Sequence, residues 1–340
     1  MYNFVQMEKI TIKDVAKRAG VSVGSVSMVL NNRKGVASKT ADKVLAVVKE
    51  LNYTPNKAAS TLRIGFNKII GVITPDISNI FFAEITRQIE DIAYENGFTV
   101  LFSSSDNLTS KIARLIDTFH ADGVKGLMIT PTDDCSKEIE RAVKLGMSVV
   151  FLNRNPKGNA EAGRVHLDHN KAMRMAVDHL FANGYKHIEV FSNEAPYSNL
   201  TAREDAYMAY FRELGLGDTA RVQHVNEQDE AEMMRMIQES RDRGTDAIII
   251  PQGYLGVKVV TVVKKLGLKI PEDLALVGFD GGESFSLMTP SITQIDQSAK
   301  ETAQNACAIL MEMMTEGVPG RTVIIEPRLI AGESSAPKSC

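Results

Sequence analysis

The first apolar pattern in the chain is helical and short. Apolar residues at positions 12, 15, 16 and 19 share one helix face. Thr11 precedes them with an acid at Asp14, the arrangement of an N-cap followed by an acidic first turn. Gly20 is expected to end this helix. Ser22 can cap a second helix, which is predicted to run from Val23 to residue 31. The pattern therefore predicts two helices joined by a three-residue turn.

A third helix is predicted to begin at a cap on Ser38 and to end near residue 53, because Pro55 disfavours helix in the residue before it. Residues 56–63 form a helical stretch too short to be stable alone in water. We assign residues 1–54 to a helix-turn-helix domain and residues 55–65 to a hinge and linker. The residues of the third helix that we expect to face inward are Ala41, Val44, Leu45, Val48 and Leu51.

After Gly65 the pattern changes to short apolar runs that alternate with helical segments. Continuous apolar strands separated by helices indicate parallel sheets covered on both faces. About 270 residues of this pattern predict an α/β body of two doubly wound lobes over residues 66–340. The predicted strands are 69–74, 99–103, 126–130, 148–152, 188–192, 247–250 and 274–279, and the helices between them include 82–95, 170–182, 202–214, 230–242 and 257–266.

Charge is distributed unevenly along the 340 residues. The net charge is −3, yet residues 1–63 hold eight Lys and three Arg against four acidic residues, a balance of +7. The remainder therefore carries −10. A basic head on an acidic body indicates that the head meets a polyanion, whereas a solvated face is the plainer alternative.

Other bulk features restrict the class of protein. No apolar run approaches the roughly 20 residues that cross a bilayer. The first nine residues lack the pattern of a signal peptide, so we expect a cytoplasmic protein without a membrane partner. Cys135, Cys307 and Cys340 are widely spaced and odd in number, which favours free thiols in a reducing compartment.

Helix, short turn and helix is the arrangement that places a second helix in the DNA major groove. Serine hydroxyls on that helix can bond to base edges, and Val23 and Met28 can contact thymine methyl groups. A three-helix packing module without DNA is the structural alternative.

Two other motifs would indicate a hydrolase or a metal site, and the evidence for each is weaker than that for DNA binding. Residues 20–24 fit the G-x-S-x-G pattern of hydrolases, but a helix precedes them where that turn needs a strand, so Ser22 is interpreted as a cap. His166, Asp168 and His169 could be imagined as a metal cluster, yet a structural role fits their spacing better. We expect no catalytic residues, no metal and no cofactor.

Residues 11–31 and 36–62, including Leu51-Asn-Tyr-Thr-Pro-Asn56, resemble the DNA-binding head of the lac and gal repressor family. The body resembles the effector domain of the same family, so the resemblance covers nearly the whole chain. It implies a helix-turn-helix head on a two-lobed, periplasmic-binding-protein-like body. It also implies a ligand-responsive repressor that binds a palindromic operator as a homodimer.

The resemblance also implies which residues contact DNA. Leu62 would enter the minor groove from a hinge helix and kink the duplex, although it could instead be a linker residue packed on the body. Met28 and Ser60 depart from the family, which often has polar or basic residues there. The implied DNA-contacting residues are Thr11, Ser22, Val23, Gly24, Ser25, Ser27, Met28, Asn31, Asn56, Lys57 and Leu62.

Polar residues follow several predicted strands of the body, where ligands of two-lobed folds bind. An arginine fork and an aspartate can grip paired hydroxyls while an aromatic ring stacks on a sugar face. Each residue could also be an ordinary loop or core residue, and Gly253 departs from the aspartate common in the family. The predicted effector-binding residues are Asp76, Phe81, Phe82, Asn153, Arg154, Arg203, Gln252, Asp280 and Gln297, with a sugar or sugar derivative as ligand.

Two alternatives remain open at this point. A solute-binding protein would share the two lobes, but the basic head and the missing signal peptide disfavour it. An enzyme on an α/β scaffold is also compatible with the fold, although no nucleophile and base converge in the sequence.

Overall fold

A computed structural model describes residues 10–30, 35–53, 68–156, 161–195 and 197–338. The chain forms two compact units, residues 1–67 and 68–340. Asn31 and the predicted hinge at 55–65 lie outside the described residues.

The head contains three helices, α1 (Ile12–Ala19), α2 (Val23–Leu30) and α3 (Ser38–Glu50). The backbone N–H and the hydroxyl of Thr11 both donate to Asp14, at 2.9 and 2.6 Å. Gly20 takes the left-handed conformation, with φ of 64°, that ends α1. The Ser25 N–H donates to the Ser22 hydroxyl at 3.0 Å. These local bonds confirm the predicted caps of the first two helices.

The third helix differs from its prediction in two respects. Ala37, not Ser38, occupies its N-cap, and the Ser38 hydroxyl bonds to Asp42 instead. Leu45 is 52% exposed, whereas Val47 is buried. The reason is geometric: position 47 lies three residues after Val44 and shares its face, while position 45 is turned about 100° away. The buried core of the head consists of Val15, Ala16, Ala19, Val26, Val29, Val44, Val47 and Tyr53.

The body contains two six-stranded sheets, one in each lobe. The strand order is β11-β5-β4-β3-β1-β2 in the first sheet and β12-β10-β9-β8-β6-β7 in the second. The first sheet consists of β1 (Ile69–Thr74), β2 (Thr99–Ser104), β3 (Gly126–Ile129), β4 (Ser148–Leu152), β5 (Gly163–Leu167) and β11 (Thr322–Ile325), and the second of β6 (Ile188–Asn193), β7 (Arg221–Val225), β8 (Ala247–Ile250), β9 (Ala275–Phe279), β10 (Thr293–Asp296) and β12 (Arg328–Ile330).

Helices cover both sheets, as the continuous apolar strands predicted. Each lobe has two apolar clusters, built from helices packed against its sheet. None of the helices in the described ranges is long and apolar enough to span a bilayer. The helices of the body are α4 (Ile80–Glu95), α5 (Thr109–Ala121), α6 (Ser136–Lys144), α7 (His169–Ala182), α8 (Ser198–Glu213), α9 (Glu230–Asp242), α10 (Gly253–Lys265), α11 (Gly282–Leu287) and α12 (Ala299–Glu316).

The sequence pattern missed several strands and one orientation. Strand β5 alternates between buried and half-buried residues, and β7 and β11 are edge strands with mostly exposed or half-buried positions. These strands lack the continuous apolar run of the central ones. Strand β12 is antiparallel to β10, so the second sheet is not wholly parallel. The helix that carries Arg203 was predicted over residues 202–214, but α8 spans Ser198–Glu213, so it begins four residues earlier.

The chain crosses between the lobes three times: after β5, after β10 and between β11 and β12. Each lobe is therefore assembled from separate parts of the sequence. The carboxyl ends of β1, β4, β6, β8 and β9 are followed by the loops that form the cleft described below.

Candidate effector cleft and DNA-binding face

The head presents one face of α2 away from its core. Val26 and Val29 are buried, whereas Val23 is 41% exposed and Gly24 is exposed. Ser22 is exposed at the start of the helix, and Ser25, Ser27 and Met28 are half-buried. Thr11 lies apart from this set, at the N-cap of α1. The predicted DNA contacts at Asn31, Asn56, Lys57 and Leu62 lie outside the described residues.

The described part of the head has an excess of basic side chains. That part carries six Lys or Arg residues against three acidic ones. Arg18 is paired with Glu50 at 2.6 Å on an exposed surface. Such an exposed pair contributes little to stability. The remaining excess of positive charge suits a polyanionic partner.

Polar side chains from both lobes converge on a cavity of about 380 Å³. Eight of the nine predicted effector-binding residues line it, and the exception is Asp76. The residues that line the cavity are Asn79, Phe81, Phe82, Asn153, Arg154, Tyr197, Asn199, Leu200, Arg203, Pro251, Gln252, Gly253, Asp280 and Gln297.

Arg203 lies at the centre of this cleft and is only 1% exposed. Its Nη1 donates to the Pro251 carbonyl at 2.6 Å, and its guanidinium lies 4.4 Å from the ring centre of Phe279. Its Nη2 is 3.6 Å from the Asp280 carboxylate, too far for a hydrogen bond, and has no hydrogen-bond partner in the protein. One donor of a buried cation is therefore available to a ligand.

Asp280 provides the opposite charge. It has a positive φ of 51°, and it accepts from the backbone N–H and the side-chain amide of Gln297 at 3.2 and 2.8 Å. Burial raises the pKa of Asp280 to about 7, against the opposing effect of Arg203. The carboxyl group therefore changes charge near neutral pH.

Other cleft residues have polar atoms without a partner. The side-chain oxygens of Asn153, Asn199 and Gln252 and the Nε of Arg154 are buried and accept or donate no hydrogen bond. Leaving such groups unpaired costs free energy. Their shared position in one cavity indicates that a ligand completes them.

Arg154 lines both the cleft and a second, larger cavity. Its Nη1 donates to Asn107 at 2.7 Å, and its guanidinium lies 3.8 Å from the ring centre of Tyr197. Burial lowers the pKa of Arg154 to about 10, so it stays charged at neutral pH. Asp76 lines this second cavity, of about 1000 Å³. Its carboxylate accepts hydrogen bonds from the backbone N–H and the hydroxyl of Ser78.

The aromatic wall is formed by Phe81 and Phe82, whose rings meet edge to face at 5.4 Å. Both residues are mostly buried and belong to the core of the first lobe as well as to the cleft. Phe81 and Phe82 therefore belong to the core and also line the cleft, and their contact with a ligand stays a prediction. Phe82 lines both cavities.

Several lining residues were missed by the sequence reasoning. Tyr197 and Asn199 follow β6, and Asn107 follows β2 with a positive φ of 56°. Asn79 caps α4 through its bond from the Phe81 N–H. All four lie near strand carboxyl ends, and that position was the signal that could have identified them.

The structure explains why a glycine occupies position 253 in this chain. A Cβ at this position would lie 2.5 Å from the Asp280 carbonyl oxygen and 2.8 Å from that of Phe279. The close approach of two backbone segments therefore excludes any side chain, including the aspartate expected from related proteins.

We expect Gly253→Ala to destabilise the body by about 1–3 kcal/mol, because the methyl group forces the 279–280 backbone to move. Thermal unfolding measures this effect. Gly24→Ala is the control, because its added Cβ would meet only the Ser22 hydroxyl, at an ordinary 3.6 Å. Equal melting temperatures for Gly253→Ala and the unaltered chain would contradict the proposed steric role.

The surroundings of the two histidines near the cleft indicate a structural role. The rings of His166 and His169 are stacked with centres 6.3 Å apart, and burial lowers the pKa of His169 to about 2. Its neutral ring accepts from the Nε of Arg203 at 3.4 Å. The described residues contain no group of three or more His, Cys, Asp or Glu side chains that could hold a metal ion.

A helix-turn-helix head with a two-lobed α/β body that holds a polar cleft defines a class of ligand-responsive DNA-binding regulators. Two family models agree with this architecture. The model of bacterial regulatory proteins of the lacI family matches residues 11–56, and that of periplasmic binding protein-like domains matches residues 177–335.

Curated relatives extend the match over the whole chain. The ribose operon repressor of Halalkalibacterium halodurans is 30% identical over 311 residues, which cover 89% of this chain and 90% of that protein. The transcriptional repressor PurR of Histophilus somni is 26% identical over 333 residues, 95% and 98% of the two chains. The chain therefore belongs to the lacI family and is a ligand-responsive, DNA-binding transcriptional regulator.

Solved structures share the fold. The lac repressor dimer bound to operator and an anti-inducer superposes with a TM-score of 0.82 at 23% identity, covering 97% of this chain and 100% of that one. A LacI family regulator from Enterococcus faecium with bound ribose gives 0.70 at 22% identity, covering 80% and 100%. At these identities the likeness concerns the fold.

Proposed function

We propose that this protein is a repressor that binds a palindromic operator as a homodimer and is controlled by a hydroxyl-rich small molecule, most simply a sugar. The observation that carries the proposal is the set of buried, unpartnered donors and acceptors in the cleft. The DNA target places the protein in the cytoplasm.

The class of effector follows from the mixture of unpaired groups. Arg154 Nε and Arg203 Nη2 need acceptors, whereas the oxygens of Asn153, Asn199 and Gln252 need donors. A carboxylate or phosphate is an acceptor only, and an ammonium group is a donor only. A hydroxyl group both donates and accepts, so a polyol completes all five. The relative from H. halodurans is named a ribose operon repressor, which agrees with this class.

The cleft is suited to binding rather than to catalysis. Its described lining contains no Ser, Thr, Cys, Lys or His, which are common nucleophiles and bases in enzymes. The carboxyl group in this lining, that of Asp280, accepts from the Gln297 amide and faces Arg203, so it is already engaged in holding the site together. We therefore propose that the ligand acts by changing the relation of the two lobes, not by being converted. Turnover of a bound sugar would contradict this part of the proposal.

The homodimer is proposed to form through exposed apolar residues of the body. Ile77, Ile80, Tyr254 and Val257 are 37–50% exposed, and Leu287 is 77% exposed. A cavity of about 330 Å³ brings together Ile80, Tyr254 and Val257 from opposite lobes. An interface across both lobes would couple their movement to the second subunit. Leu287→Asp should raise the dissociation constant of the dimer in sedimentation experiments.

Effector binding is expected to strengthen as the pH rises through about 7, where Asp280 loses its proton. The carboxylate accepts ligand hydroxyls and balances Arg203, whereas the protonated form is a weaker acceptor. Calorimetric titration between pH 6 and 8, with a sugar found in a thermal-shift screen, measures this dependence. Asp280→Asn should bind weakly at every pH in that range; the same rise in Asp280→Asn would contradict the assignment.

Operator binding is expected to depend steeply on salt, because basic side chains displace counterions from phosphates. The slope of log affinity against log salt is about −0.9 per phosphate contact, and about six to ten contacts lower the affinity by ~10³–10⁵ between 50 and 200 mM salt. Fluorescence anisotropy on a labelled duplex measures the slope. An affinity independent of salt would refute binding by the basic head.

A further inference from the structure

The outward face of α2 has an unusual composition for a helix that enters the major groove. The helix consists of Val, Gly, Ser, Val, Ser, Met, Val and Leu, without a charged or amide side chain. Val26 and Val29 are its buried residues. At 100° per residue, the opposite face is centred on Gly24 and flanked by Ser27 and Met28.

Met28 is the largest side chain on this face. It is half-buried, yet it does not belong to the apolar cluster of the head, which takes Val26, Val29 and Leu30 from this helix. Val23, at the start of the helix, is 41% exposed. Single exposed apolar residues are common on protein surfaces. These two are notable because of their position on the helix that faces DNA in the proposed function.

The residues of α2 limit which base features it can read. Paired hydrogen bonds to guanine need Arg or Lys, and those to adenine need Asn or Gln. None of these occurs between Val23 and Leu30. The hydroxyls of Ser22 and Ser25 bond to each other at 2.9 Å and serve the helix cap. The thymine methyl group is the base feature that apolar side chains recognise.

We propose that Met28 is a specificity-determining residue that contacts a thymine methyl group in each half-site. The inference rests on the proposed function, because it requires that α2 enter the groove. Gly24 has no side chain at the centre of the face, and a Cβ there would meet only Ser22 Oγ at 3.6 Å. The space above it lets the helix backbone approach the bases.

The test uses the full chain and the duplex that it enriches from a random-sequence pool. Each thymine of a half-site is replaced in turn by deoxyuridine, which removes only the methyl group. We expect a roughly fourfold loss of affinity at one position or two, the value for one buried methyl group. Met28→Ala should bind the thymine and uracil duplexes equally at the position that Met28 reads.

The second part of the test is a variant designed to prefer a different base. Met28→Arg should change the preferred base at that position to guanine, with a discrimination of about 5- to 150-fold, since arginine can form two bonds to guanine. Leu45→Ala is the matched control: Leu45 is an exposed apolar residue of the same head, on α3. That variant should keep the difference between thymine and uracil. Thermal unfolding confirms that the variants fold.

The outcomes separate this inference from the proposed function. If a duplex is enriched but no uracil substitution weakens binding, methyl recognition is wrong while operator binding stands. If Met28→Ala retains the uracil effect, the contact belongs to another residue and the assignment fails. If no duplex is enriched, the proposed function and the inference both fail.

Discussion

Arg203→Met is expected to raise the dissociation constant of the effector at least ~10-fold while DNA binding without effector changes little. A hydrogen bond from a charged donor to a neutral ligand contributes about 1.5–3 kcal/mol, which is roughly 10- to 150-fold in the dissociation constant. Arg203 is fully enclosed and donates to the Pro251 carbonyl, and its unpartnered Nη2 is the donor offered to a ligand. Methionine retains most of the side-chain volume but none of the donors.

The cost to folding should be smaller than that to binding. Without Arg203, the pKa of Asp280 rises further, because the charge of Arg203 is the largest effect that lowers it. Asp280 then takes up a proton at neutral pH, and no isolated charge is left buried. The double variant Arg203→Met/Asp280→Asn should therefore fold as well as the single one.

Arg174→Met is the matched control for this experiment. Arg174 is also paired with an acid, Glu213 at 2.6 Å, and also lies over an aromatic ring, that of Tyr210. It is exposed and remote from the cleft lining, so effector binding should be unchanged. Calorimetry with the sugar from the thermal-shift screen measures both variants. Equal affinities for Arg203→Met and the unaltered chain would show that the cleft is misplaced.

Removal of residues 1–67 is expected to abolish DNA binding and to leave effector binding intact. The body, residues 68–340, is a compact unit with its own four apolar clusters. Its net charge is negative, so it should repel rather than attract DNA. The basic residues that could neutralise phosphates are concentrated in the head.

Anisotropy with the enriched duplex and thermal shift with the sugar are the two measurements for this truncated chain. The full chain at the same subunit concentration is the control. A body that retains the DNA affinity of the full chain would place the DNA site outside the head. A body that unfolds without the head would show that the two units are not independently stable.

The sequence predicts best those features of the structure whose cause lies within a few neighbouring residues. Strands β1, β4 and β8 were predicted with the bounds that the structure shows, because each is a continuous apolar run. The helix caps at Thr11 and Ser22 were predicted because their bonding partners lie three residues away. Leu45 was misplaced because residues 44, 45, 48 and 51 fit one helical face as well as residues 44, 47, 48 and 51 do, and packing in the core of the head selects the second set.

The features of the cleft also divide into those that the sequence could predict and those that it could not. Eight effector residues could be chosen because each follows a strand or resembles a family position, and the structure brings those eight together. The reason for Gly253 could not be predicted, since it depends on the backbone of residues 279–280. The unpartnered oxygens of Asn153 and Asn199 were likewise invisible, because pairing is a property of the assembled cavity.

In the proposed function, the head reads a specific duplex sequence under the control of a ligand in the body. Both properties are measured together by selection from a random-sequence duplex pool with the full chain, with and without the sugar found in the screen. We expect one enriched palindromic motif whose recovery changes when the sugar is present. A pool that stays unenriched under both conditions would refute sequence-specific DNA binding by this protein.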